Sequence, residues 1–167
     1  MRNKETRKMV YLTLLSAMAI AINIFESTYL AFMPFGIRFG LANIIALITL
    51  ELFGMKETIL INFMRVGLGG LLRGTLFGTA FWISASGVTL SCICLFLIRR
   101  VLKFPIYSTS MISAIGHSVG QVITVMFIYK QVGMLTVIPM LLISSIPTGI
   151  LTGIVAIGTL KRLKVKL

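Results

Sequence analysis

The chain has 167 residues, of which 57% are hydrophobic and 12% charged, with a mean hydropathy of +1.03; a water-soluble domain carries about a quarter charged residues. A soluble fold is excluded. The net charge of +12 does not make it a nucleic-acid binder, because the cations stand in short clusters between apolar spans, where topology signals lie.

The apolar blocks predict an all-α integral membrane protein with six transmembrane helices, multi-pass in the cell membrane, as a single transmembrane domain over residues 1–167. The first helix is expected at about 9–27, after the basic head MRNKETRK. It runs into Asn23 and Glu26 with no small-residue cleavage site, which argues against a removable signal peptide. The second, about 40–53, and the third, about 57–72, fall short of the ~20 apolar residues that a span needs, so they must tilt or bury against neighbours. Between the first and second lies an aromatic connection, 28–39, with Pro34 and Gly36, which is expected to act as a lid. The fourth helix is expected at about 76–98, the fifth at about 109–129 and the sixth at about 138–160. Pro139 suits a first turn, whereas Pro147 is expected to kink the sixth helix.

Lysine and arginine decide the orientation. With the N-terminus inside, the inner side collects Arg2, Lys4, Arg7, Lys8, Lys56, Arg99, Arg100, Lys103, Lys161, Arg162, Lys164 and Lys166. The outer side has Arg38, Arg73 and Lys130. This asymmetry puts both termini in the cytoplasm.

Arg65 stands alone within a span. Eight residues into the third helix it lies about 12 Å deep, where a guanidinium costs at least ~2.5–3.5 kcal/mol unless it faces protein or water. It cannot lose its proton, so it needs an anion or a carbonyl. The chain has no aspartate and four glutamates, of which Glu26 and Glu51 are the available partners. Arg65 either staples helices through one of them, faces a ligand, or snorkels to one face of the membrane. On the fifth helix Ser113, His117 and Gln121 follow one another at helical-turn spacing and share a face. Asn43 and Asn62 add amides.

Gly70, Gly74 and Gly78 recur every four residues, and Gly116/Gly120 and Gly149/Gly153 repeat the spacing. Such glycines either let helices approach closely or open space beside a ligand. Cys92 and Cys94, two apart, point to different sides of a helix and form neither a disulfide nor a metal pair.

The blocks RFGLANIIALITL (38–50), INFMRVGLGGLLRG (61–74), IGHSVGQV (115–122) and SSIPTGILTGIVA (144–156) resemble the Gx transporter family, whose members are often labelled heptaprenyl diphosphate synthase component I. The resemblance covers nearly the whole chain, with Met64 where the family usually has leucine. That family is similar to the substrate-binding S components of energy-coupling factor transporters. The resemblance therefore implies a six-helix S-component-like bundle in a bacterial inner membrane, with an outward-opening cavity. It also implies docking of an Ala17-x-x-x-Ala21 stripe on a transmembrane coupling subunit with its ATPases.

The expected function is that of a substrate-binding membrane subunit for uptake of a small molecule. Arg65, Arg73, His117, Gln121, Asn43 and Glu26 are the expected binding residues, and the cations Arg38, Arg65 and Arg73 favour an anionic ligand, an isoprenoid or quinone precursor or a vitamin. Two further readings stay open: a non-catalytic membrane partner or anchor of an isoprenoid or redox enzyme, and a proton-coupled carrier relying on Glu26, Glu51 and His117. The chain is not expected to be an enzyme, to bind a metal or to carry a cofactor. It lacks the aspartate clusters that hold Mg²⁺ for prenyl diphosphate chemistry and a GxxxxGK[ST] loop for ATP.

Overall fold

Away from water, backbone N–H and C=O groups must bond to one another, and a helix meets that demand within one segment. The computed structural model describes residues 2–29 and 40–164 and, among them, contains no strand. It has α1 (Arg2–Tyr29), α2 (Asn43–Leu52), α3 (Met55–Leu72), α4 (Thr79–Phe96), α5 (Ile106–Tyr129) and α6 (Ile138–Lys164). A π-helical turn, Leu97–Leu102, prolongs α4, and a 3₁₀ turn, Val132–Val137, leads into α6.

The helices that have sequence room to cross a membrane are α1, α4, α5 and α6, each long and apolar enough. With 10 residues, α2 is about 15 Å long. The 18 residues of α3 reach farther but carry Lys56, Glu57 and Arg65. Both short helices were expected. Several boundaries differ from expectation: α1 takes in most of the basic head, and α4 starts at Thr79 because Thr75–Gly78 close a turn through Gly78 N–H to Thr75 O. Pro147 lies inside a continuous α6. The expected lid falls mainly on residues 30–39, which lie outside the described residues together with Arg38; Thr28 and Tyr29 belong to α1.

Two apolar clusters hold the bundle at its two ends. One joins Leu15, Ile48, Ile61, Leu95, Ala156 and Leu160, from five helices, near the end where α1, α3 and α5 begin. The other joins Ile83, Val122, Val125, Met134 and Leu141 at the opposite end. At the first end, Lys8 reaches Glu57 at 2.5 Å and Arg99 reaches Glu51 at 2.5 Å. The turn from α2 to α3 passes through Gly54 at φ 98°, a conformation that a side chain would strain.

Lipid chains are as apolar as leucine, so tight contact and hydrogen bonds must hold the helices to one another. A Cβ at Gly120 would lie 2.7 Å from the Ser86 carbonyl oxygen, and one at Gly149 would lie 2.7 Å from the Met111 Cα. These glycines seat α5 on α4 and α6 on α5. The 70/74/78 series behaves differently: Gly74 meets nothing and Gly78 meets only its own turn, because the chain leaves the helix there. Ser91–Ser113 at 2.6 Å, Ser118–Ser145 at 2.7 Å and Ser110–Thr152 at 2.8 Å lace α4, α5 and α6 together.

Candidate functional site

Between the two apolar clusters lies a layer of buried polar side chains contributed by α1 to α5. Arg65, ten residues into α3, is about 15 Å from that helix's start and only 1% exposed. Its Nη1 and Nη2 both reach Asn43 Oδ1, at 3.4 Å each, longer than the usual 2.7–3.2 Å. Among the described residues its Nε has no partner, and neither does Asn43 Nδ2. Two buried donors, one of them on a permanent cation, thus find no acceptor among the described residues.

Glu26 is buried on α1 and acts electrostatically on Arg65. Its Oε1 accepts the Gly40 N–H, which ties the approach to α2 onto α1. Gly40 has φ 79°, and a Cβ there would sit 3.1 Å from His117 and 3.2 Å from Asn43. The glycine therefore brings α2's first turn against α5. Glu51, the other glutamate open to Arg65, is instead engaged by Arg99 at the bundle's end.

On α5, Gln121 and His117 are hydrogen-bonded at 2.8 Å between Nε2 atoms. The Gln121 amide donates, so the His117 Nε2 accepts and the ring proton sits on Nδ1. Both side chains are buried, and a Cβ at Gly87 of α4 would lie 2.8 Å from Gln121.

The structure gathers Glu26, Asn43, Arg65, His117 and Gln121 in this layer. Arg73 stands apart: two turns beyond Arg65 and half-buried, it donates from Nε to the Gly69 carbonyl at 2.8 Å and from Nη2 to Asn23 Oδ1 at 3.4 Å. Asn23, one turn from Glu26 on α1, is buried and is the acceptor for Arg73 Nη2. Ala17 and Ala21 are exposed on α1.

Sequence reasoning missed two participants. Gly40 works through its backbone, which only its place before LAN signals. Cys92, half-buried rather than a fully buried hydrophobe, accepts from Asn62 Nδ2 at 3.1 Å. Among the described residues no three of His, Cys, Asp and Glu come close enough to hold a metal ion.

A family model described as heptaprenyl diphosphate synthase component I matches residues 15–159. No curated protein and no solved structure matches the chain.

Proposed function

The chain belongs to the heptaprenyl diphosphate synthase component I family, and from that premise we propose that it is a substrate-binding membrane subunit that takes up a small anionic molecule with a separate ATPase module. The observation that carries this reading is the pair of unmet buried donors, Arg65 Nε and Asn43 Nδ2. Leaving such groups unpaired away from water is costly. An oxyanion bound between them would accept from both and neutralise the cation through charge-assisted bonds. His117 and Gln121 would wall the site from α5, and Arg73 would draw anions toward it from the outer end. The ligand class is a small isoprenoid or quinone precursor bearing phosphate, or a vitamin-like anion. In this reading both termini face the cytoplasm, the bundle works as an energy-coupling factor S component does, and Ala17 and Ala21 dock on a transmembrane coupling subunit. The chain itself is not catalytic.

The test is titration calorimetry of isopentenyl diphosphate against the purified protein in nanodiscs, with mass spectrometry of small molecules that survive purification. Arg65→Ala lowers affinity about 100-fold, equivalent to about 2.7 kcal/mol, while the helical content is kept. Equal affinity in the variant removes Arg65 from the site.

The family's description favours a second reading, because a component implies another component. There the chain anchors a prenyl-synthesising partner at the membrane, and the exposed face of α1 is the contact. Co-purification with such an enzyme and no retained small molecule would decide for it.

A further inference from the structure

A groove of about 450 Å³ runs between α3 and α4, with Phe63, Val66, Phe81, Val88 and Phe96 among its walls and Asn62, Cys92 and Thr89, whose hydroxyl donates to the Ala85 carbonyl, as its polar lining. This volume is at the low end for a ligand pocket and suits one apolar chain. Asn62 is 2% exposed. Its Nδ2 donates to Cys92, and among the described residues its Oδ1 has no partner. In hydrocarbon no bulk water meets such an acceptor, so what fills the groove must bring a donor.

We propose that the groove binds a membrane lipid with a single apolar chain ending in a hydroxyl. The hydroxyl donates to Asn62 Oδ1 and the chain lies along α3 toward Gly67. The head group follows from its neighbours. A carboxylate or phosphate oxygen has no proton to give Oδ1. An ammonium is disfavoured by the guanidinium of Arg65, one turn away on the same helix. Gly67 lies about 7.5 Å along the helix from Asn62, and a Cβ there would meet nothing within 4 Å. The space beside the chain's path is open.

This site is separate from the anion site at Arg65, and its test does not use that site. The full-length protein carrying Cys94→Ser is placed in phosphatidylcholine nanodiscs, so that Cys92 is the one thiol, since the chain has two cysteines. Alkylation of Cys92 by N-ethylmaleimide is timed with 1-dodecanol and with its methyl ether. Dodecanol slows alkylation at least fivefold and the ether, which has no donor, less than twofold. Asn62→Leu removes the protection by dodecanol, and so does Gly67→Phe, which puts a ring into the groove from a position where a Cβ meets nothing within 4 Å. Protection by alcohol and ether alike would mean bulk lipid filling only. That result overturns the proposal, as does a Cys92 that dodecanol leaves unprotected or that is unreactive from the start.

Discussion

Arg65 and Asn43 show how a single long contact can matter more than a short one. Both terminal guanidinium nitrogens share one oxygen at 3.4 Å, a geometry that holds the cation without satisfying it. A compact ammonium offers no planar fork for a bidentate acceptor, so Arg65→Lys is expected to recover less than a tenth of the affinity lost in Arg65→Ala. Isopentenyl diphosphate titration checks this. The His117–Gln121 pair is different, because its bond, at 2.8 Å, is short. Gln121→Leu takes away the donor to His117 Nε2 and is expected to lower stability by about 1 kcal/mol, read from thermal unfolding in detergent.

At the scale of elements, glycines fall into two groups by what surrounds them. Gly120 is pressed against the backbone of α4, and backbone cannot swing aside as a side chain can. Gly120→Val therefore forces α4 and α5 apart, at a cost of about 3 kcal/mol. Gly158 on α6 meets nothing, so Gly158→Ala gains helix propensity worth about 0.5–1 kcal/mol. Differential scanning fluorimetry of the two variants should move in opposite directions. The four-residue spacing was plain in the chain, but it ran equally through Gly70, Gly74 and Gly78, of which Gly70 packs on Phe81 and Leu76 while Gly74 and Gly78 lie past the end of α3. Spacing alone cannot separate the cases, because both look the same until the neighbouring helix is in place.

For the whole molecule, alternating polar and apolar levels explain how a cation stays inside. Two greasy ends close the bundle, and the polar layer between them is shielded from both faces. The basic residues crowd one end, which the proposed orientation puts in the cytoplasm. Single cysteines at Lys103 and Lys130, in a background with Cys92 and Cys94 replaced by serine, test this orientation. In sealed right-side-out vesicles a membrane-impermeant maleimide is expected to label position 130 and spare 103. The reverse pattern would invert the topology.

Much of this architecture was present in the order of residues alone. Hydropathy and helical period act over neighbouring residues, so the six helices, the shortness of α2 and α3, the place of Arg65 in the middle of α3 and the shared face of His117 and Gln121 could be read directly, whereas the burial of Arg65 came from the packing. Which charges meet could not. Glu26 and Glu51 stood as equal partners for Arg65 until the packing gave Glu51 to Arg99 and left Glu26 acting across from α1. The groove between α3 and α4, and the unmet oxygen of Asn62 within it, likewise depend on how one helix is rotated against the next. That rotation is set by contacts between residues tens of positions apart, and no local pattern encodes it.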